Sequence, residues 1–382
     1  CIRDSDIHSG EVVAMVSLPD YNPNHFATIE DDARFNRATL GLYEMGSTFK
    51  VLNTAIALES GATTTSSYYK VSKPLRFGRF SVWDYHMYDR DLSVPEILVL
   101  SSNIGSARMA ADIGAERQQF YLRQLGLFDK VSLEIPEMAN PLVPGTWRST
   151  SIATVSYGHG ISVTPLHLAS SVAAASGSGA IVKPTLMHRG GAPAPMSERL
   201  FSEETTKAVR SMMRLVVSHP DGTGNFAEAK GYMVGGKTGT SEKINPDGGY
   251  FEDKNIASFA ATFPVHDPRY VLVVMVDEPK GQKHSYGYAT GGWVAAPAAK
   301  RIIKHAAPLL GILPVDENSP EIRQKLRLDF KIGKQEKTLD VEGLLGAATL
   351  LKRLGLDEGD RMLQRALKQD KALKDEVTGI LA

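Results

Sequence analysis

Cysteine is all but missing from this chain of 382 residues: the one example is Cys1, so no intramolecular disulfide can form and the redox compartment is left open. Long apolar runs are missing too. Nothing approaches the roughly 18 consecutive apolar residues of a membrane-spanning helix, and the first residues do not make a basic-then-apolar leader. The expectation is a soluble chain. Net charge is absent as well, with 43 Lys and Arg against 43 Asp and Glu, which argues against nucleic acid or a polyanion as partner and leaves recognition to a local site. No grouping of His, Cys, Asp and Glu has metal-ligand spacing, so neither a metal nor a cofactor is expected.

What is present is ordinary globular material, 42% hydrophobic and 23% charged, enough for one large core or two smaller ones. Within it, Gly41-Leu42-Tyr43-Glu44-Met45-Gly46-Ser47-Thr48-Phe49-Lys50 sets a serine and a lysine three residues apart at the mouth of an apolar helix. If Gly46 closes a loop and a helix runs from Ser47 to about Glu59, stopped by Ser60-Gly61, positions i and i+3 share a face and the amine reaches the hydroxyl. A free serine is a poor nucleophile near neutral pH and needs a proton acceptor beside it. Lysine fills that role only when neutral, a state favoured by burial and by a second cation nearby. The positive end of the helix adds favourable potential for charge developing on the serine oxygen.

Ser101-Ser102-Asn103 and Lys237-Thr238-Gly239-Thr240 follow downstream. The set Ser-x-x-Lys, Ser-x-Asn, Lys-Thr-Gly, in that order, resembles the penicillin-recognising serine acyltransferases. The flanking Tyr43-Glu44-Met45-Gly46, Val163-Thr164-Pro165-Leu166, Gly222-Thr223-Gly224 and Val276-Asp277-Glu278-Pro279 look like the transpeptidase domain of class B penicillin-binding proteins, over roughly residues 10–312. The division-septum type is favoured over the elongation type.

The resemblance implies an α/β (α+β) fold of the penicillin-recognising serine transpeptidase/β-lactamase-like kind, an antiparallel sheet flanked by helices plus an all-helical subdomain. It implies a serine D,D-transpeptidase that cross-links peptidoglycan stem peptides through an acyl-enzyme on Ser47 and is trapped by β-lactams. In that scheme Lys50 takes the serine proton, Ser101 passes a proton to the departing D-alanine nitrogen, and Asn103 orients both Lys50 and the substrate. Lys237 is the second cation, beside Ser101 and the terminal carboxylate of the substrate. Thr238 and Thr240 offer hydroxyls to that carboxylate, Gly239 permits close backbone approach, and the backbone N–H groups of Ser47 and Thr240 form the oxyanion hole. The implied partners are donor and acceptor stem peptides, β-lactam antibiotics and, through the family, a membrane glycosyltransferase and other division proteins. Such relatives carry a membrane anchor and an elongated module before the catalytic domain. The full-length protein is therefore expected at the periplasmic face of the inner membrane, and this chain reads as its excised catalytic domain.

Patterning places the motifs on elements. Gly10 to Leu18 reads as a buried strand, and residues 62–92 as loop with short strands. Ser93-Val94-Pro95-Glu96 has a capping-box signature, which puts Ser101 to Asn103 on a turn between that helix and one over Ile104 to Ile113. Small residues at Gly105, Ala107, Ala110 and Ala111 suit packing against the nucleophile helix. Further helices are expected over Gln118 to Leu125, over Leu166 to Ala175 behind the Thr164-Pro165 cap, over Glu203 to Val217, and from Trp293 to about His305. Lys237 to Thr240 is expected on a strand beside a hairpin of Ile256 to Pro264 and Tyr270 to Asp277, in an antiparallel sheet. His159 and His167 read as structural. The division expected is 1–312 for the transpeptidase domain and 313–382 for a charged, mostly helical extension of unknown role. Its residues 339–381 read as two amphipathic helices broken at Gly355, with a stripe of Leu363, Ala366, Leu367, Leu373 and Val377.

Two rival activities share the three motifs. A serine β-lactamase would need a base for deacylation, and Glu137-x-x-Asn140 is the nearest pattern, although its spacing is one short and Pro136 and Pro141 suggest a turn. A β-lactam sensor would accompany a membrane helical region. Ser102 stands where many relatives have aspartate, and Met45 where proline is common.

Overall fold

The computed structural model describes residues 2–190, 192–195, 198–245 and 247–327. Five antiparallel strands form its central sheet: β1 (Ile2–Asp6), β2 (Val12–Val16), β3 (Gly235–Ile244), β4 (Tyr250–Phe263) and β5 (Tyr270–Asp277). Their order across the sheet is β2-β1-β5-β4-β3, so β3, the strand of the Lys-Thr-Gly motif, is an edge. The expected hairpin is β4 and β5, paired from Phe263↔Tyr270 to Ile256↔Asp277. Ile2 to Asp6 has no run of apolar residues to announce a strand; it is one because it pairs with β2 on one side and β5 on the other.

Besides the single turn Asp31–Arg34, the helices among the described residues are α1 (Phe49–Glu59), α2 (Val94–Val99), α3 (Asn103–Ile113), α4 (Ala115–Gln124), α5 (Ser149–Val155), α6 (Pro165–Ser176), α7 (Glu203–Ser218), α8 (Ala295–Leu309) and α9 (Pro320–Lys325). Side-chain alternation divides the sheet's residues between two cores. Phe259, Ala261 and Phe263 of β4, with Leu272 and Val274 of β5, pack with Ala295, Ala299 and Ile303 of α8. Ile256, Ala260, Val271, Val273 and Met275 face the opposite way, into a core shared with α1, α2, α3, α6 and α7. Both faces are covered, which is why β5 reads as one continuous apolar run. Each large side chain so buried is worth about 1.5–3 kcal/mol.

Several boundaries differ from expectation. The nucleophile helix opens with a 3-10 turn, Gly46–Thr48, before α1 begins at Phe49. The N-terminal strand is confined to Val12–Val16, Gly10 turning the chain ahead of it at φ 74, and it is not the buried strand expected, since it is an edge of the sheet with Val13 and Val16 exposed. β4 reaches back to Tyr250 because it follows β3 as far as Ile244. α4 starts at Ala115, and α8 runs on to Leu309 with Pro308 inside its last turn.

The chain also stays on the domain beyond the expected boundary at 312/313. Val315 N–H donates to Gly231 O at 2.9 Å, and Glu317 takes the Gly231 N–H while pairing with Arg214. Ile322 of α9 is buried against Met233 and Val265. The compact unit accordingly spans Cys1–Ile332, with Gly333–Ala382 a second unit. The helices expected over 339–381, the break at Gly355 and the stripe from Leu363 to Val377 lie outside the described residues. Among the described residues no helix is long and apolar enough to cross a membrane.

Candidate active site

α1 is buried on every side: Phe49, Val51, Leu52, Ala55 and Ile56 are fully enclosed, and so are Lys50, Asn53 and Thr54. A helix of that kind is held in a core rather than on a surface. Its first turn is delivered to β3 by Gly46, which has φ 55 and lies so close to Thr240 that a Cβ would stand 2.8 Å from the Thr240 carbonyl oxygen. Gly239 serves the same approach from the strand, since a Cβ there would stand 2.6 Å from the Met45 oxygen. Only glycine lets the nucleophile loop and the edge strand come this near.

Lys50 Nζ has four oxygens in reach: Asn103 Oδ1 at 2.6 Å, Ser47 Oγ at 2.7 Å, the Ser101 carbonyl at 2.8 Å and Ser101 Oγ at 3.2 Å. Two of these, the Asn103 amide oxygen and the Ser101 carbonyl, can only accept. A neutral amine has two N–H bonds for them and a lone pair left to receive the Ser47 proton. Burial favours that form, pulling the Lys50 amine from 10.5 down to about 7 against an opposing pull from the Asp84 carboxylate. The expected part of a second cation falls elsewhere: Lys237 is itself driven well below the ordinary lysine value, first by burial and then by the charge of Lys50.

β3 presents Lys237 on the same face as its cross-strand partner Ala260, toward the helical core. From there Lys237 Nζ donates to Ser101 Oγ at 2.9 Å and to the Thr238 carbonyl at 3.1 Å. Thr238 points the other way and donates its hydroxyl proton to Thr223 Oγ1 at 2.8 Å, within the Gly-Thr-Gly motif. Thr240 Oγ1 accepts from Gly291 N–H at 3.0 Å, which leaves its own proton to donate.

The Ser-x-Asn motif lies on the expected turn between α2 and α3. The capping box at Ser93 and Glu96 forms as read. Ser101 takes a left-handed φ of 63, unusual outside glycine. Ser102 is the N-cap of α3, accepting from Gly105 N–H at 2.9 Å and donating to Asp84 Oδ2 at 2.7 Å. Asn103 turns its oxygen to Lys50 and one amide N–H to the Trp83 carbonyl at 2.9 Å, leaving one N–H over. Asp84 was not singled out by the sequence, which offers no signal for it: it stands in the aperiodic stretch before Ser93.

Glu44 is a second residue of this kind, although it belongs to a motif already noted. Buried just ahead of the nucleophile turn, its carboxylate accepts from Gly160 N–H at 2.7 Å and from the Tyr250 hydroxyl at 3.0 Å, and pairs with His159 at 3.2 Å. Its carbonyl accepts from Ser241 Oγ at 2.6 Å, so one residue ties the loop to both β3 and β4. His159 therefore braces that loop. His167 closes the cap of α6 with Thr164 and contacts the Asp129 carbonyl at 2.9 Å. Glu137 is exposed on an irregular stretch and has no hydrogen bond to Ser47, Lys50 or any other residue of the cluster.

The penicillin binding protein transpeptidase domain family matches residues 5–304. The probable peptidoglycan D,D-transpeptidase FtsI of Caulobacter vibrioides is 40% identical over 314 residues, covering 81% of this chain and 53% of that protein. Escherichia coli peptidoglycan D,D-transpeptidase FtsI is 33% identical over 311 residues, covering 81% of this chain and 51% of its own length. The chain thus spans about half the length of the curated relatives it matches. Among solved structures, the apo transpeptidase domain of Burkholderia pseudomallei penicillin-binding protein 3 superposes with a TM-score of 0.72 at 29% identity, over 84% of this chain and 89% of that one. By sequence, fold and motif geometry alike, the chain belongs to the penicillin binding protein transpeptidase domain family, in its class B branch.

Proposed function

We propose that this domain is a serine D,D-transpeptidase acting on peptidoglycan stem peptides that end in D-Ala-D-Ala. The observation that carries the reading is the Lys50 amine, fully buried, 2.7 Å from Ser47 Oγ, with its two N–H bonds directed at acceptor-only oxygens. Ser47 attacks the carbonyl of the penultimate D-alanine as Lys50 takes its proton. The negative charge that develops on the substrate oxygen is received by the backbone N–H groups of Ser47 and Thr240, which Gly46 allows to stand close together. Ser101, bonded to Lys237 and within reach of Lys50, relays a proton to the departing D-alanine nitrogen. The substrate extends along β3, whose edge is unpaired within the sheet, with its terminal carboxylate against Lys237 and Thr240, and Thr238 turns its hydroxyl proton from Thr223 to that carboxylate. The Asn103 N–H that has no partner among the described residues donates to the substrate carbonyl.

The acyl-enzyme is resolved by an amine from a neighbouring stem, and β-lactams acylate Ser47 in place of the donor. Relatives named FtsI support a septal role; a membrane glycosyltransferase and other division proteins as partners, and the periplasmic face of the inner membrane as the place of action, are part of this proposal on the strength of the family resemblance alone. No observation favours the hydrolase reading, since Glu137 stands apart from the cluster. The test is incubation with a stem pentapeptide and a D-amino acid as acceptor. Release of D-alanine with formation of the exchanged peptide is the expected result, lost in Ser47→Ala; hydrolysis without exchange would reject the assignment.

A further inference from the structure

The Ser-x-Asn turn is held by a side chain from elsewhere in the chain. A left-handed backbone is strained for a non-glycine residue such as Ser101 and persists only where the surroundings fix it. Ser102, Asn103 and Ile104, the three residues that follow, all bond to the carboxylate of Asp84. Its Oδ1 accepts from Asn103 N–H at 2.5 Å and Ile104 N–H at 2.9 Å, and its Oδ2 from the Ser102 hydroxyl at 2.7 Å. Asp84 is only 8% exposed. The adjacent Trp83 carbonyl takes the Asn103 side-chain amide, so residues 83 and 84 grip Asn103 by main chain and side chain together. The Asn103 oxygen is thereby left aimed at Lys50.

We propose that Asp84 is a positioning residue for acylation at this site, holding Ser101 and Asn103 in register with Lys50 and placing a negative charge opposite the Lys50 amine. The proposal rests on the reading of Ser47 as nucleophile and Lys50 as base. The titratable groups that face Lys50 are Asp84, from the loop before α2, whose charge acts on it, and Lys237, from β3, on which the charge of Lys50 acts. Asp84 in turn faces Lys50 and the Tyr88 phenol, which is neutral because burial raises it; burial raises the Asp84 carboxyl too, opposed by the bonds from Ser102, Ile104 and Asn103 and by Lys50, which favour its charged form. Ser102 in the middle slot is then explained, because the carboxylate comes from Asp84. An aspartate at 102 would be an equally good N-cap but would set two carboxylates side by side.

Asp84→Asn makes two separable changes. The clamp loses acceptor capacity, because an amide offers one oxygen where the carboxylate offers two, so the limiting acylation rate falls by on the order of 10-fold, the weight of a buried hydrogen bond. Lys50 also loses a counter-charge that stabilises its ammonium form, so the acid limb of the pH profile moves to lower pH. A carboxylate that merely supported the fold would lower the rate without moving that limb.

The experiment measures the rate constant of penicillin acylation from about pH 5 to pH 9 for the parent chain, Asp84→Asn, Ser102→Asp and the double variant. Expected are a lowered limiting rate and a down-shifted acid limb in Asp84→Asn, slow acylation in Ser102→Asp, and recovery in the double variant, where one carboxylate is restored. If the parent is not labelled at Ser47, the reading of the site has failed. If the parent is labelled and Asp84→Asn keeps either its limiting rate or its acid limb, the proposal for Asp84 is overturned. It is equally overturned if the two substitutions compound with no recovery. Should Asp84→Asn not fold, Ser102→Ala replaces it, with a several-fold fall and an unmoved acid limb expected; an unchanged rate overturns the proposal.

Discussion

Lys237 Nζ donates a 2.9 Å hydrogen bond to Ser101 Oγ, the hydroxyl that also lies 3.2 Å from Lys50 Nζ. Two buried lysines thus meet at one serine, 136 residues from one of them in sequence. Burial disfavours charge on both, and the charge of Lys50 further disfavours charge on Lys237. This hydroxyl therefore connects Lys50, beside Ser47, to Lys237 on β3.

Removing the base should slow acylation far more than it disturbs the fold. Lys50→Ala is expected to lower the penicillin acylation rate by roughly 10²–10⁴, the usual worth of a positioned base. Ser47→Ala should take up no label at all while melting as a folded protein. Intact-protein mass spectrometry with peptide mapping measures both, and an adduct on Ser101 in place of Ser47 would sink the assignment.

The pH dependence follows from the same amine. Lys50 acts when neutral and titrates at about 7, so acylation should be near its plateau above that value and fall about tenfold per pH unit below it. The sign is opposite to that of a site activated by a protonated lysine, which would lose activity on the alkaline side. An unshifted lysine at 10.5 would leave only about three molecules in ten thousand neutral at pH 7. A rate profile still rising steeply from pH 8 to about pH 10 would show that burial does not set this base.

The penicilloyl adduct should persist for many minutes. Lys50, Ser101 and Lys237 are engaged with one another, and no carboxylate of the described residues accepts a hydrogen bond from Ser47. Attack by water without a positioned base loses about 10²–10⁴ in rate. Decay of a fluorescent penicillin adduct measures this in the parent and in Glu137→Gln, which should match. Turnover within seconds that vanished in Glu137→Gln would point to a hydrolase.

The edge of the catalytic unit can be located by shortening the chain. Ending it after Ile332 should leave acylation within a few-fold of the parent, since that is where the first compact unit ends. Ending it after Leu313 removes Glu317 from Arg214 and Ile322 from its contacts with Met233 and Val265, just ahead of the strand that carries Lys237. Ile322→Ala in the full chain should lower stability by about 2 kcal/mol, near the low end for such a truncation because the cluster is small. Urea unfolding monitors both changes; a chain ending at Leu313 as stable as the parent would restore the boundary to 312/313.

The sequence by itself determined which motif residues meet and most of the elements that carry them. Ser47 and Lys50 are three residues apart on a helix start, so local geometry alone brings them together, and Ser93 and Thr164 announce helices through cap bonds that span only a few residues. The runs in β4 and β5 are legible for the same reason, because alternation and continuous apolarity are local properties. Tertiary structure alone decided the rest. Asp84 and Glu44 act through bonds to residues 18 to 206 positions away, and nothing in their own neighbourhoods encodes those partners. β1 is a strand only because two neighbours accept it, and the segment after Leu313 belongs to the domain only because Gly231, Arg214 and Met233 wait for it. The depressed affinity of Lys50 for its proton is of this second sort: it comes from enclosure of α1 on every side, which no window of sequence around residue 50 contains.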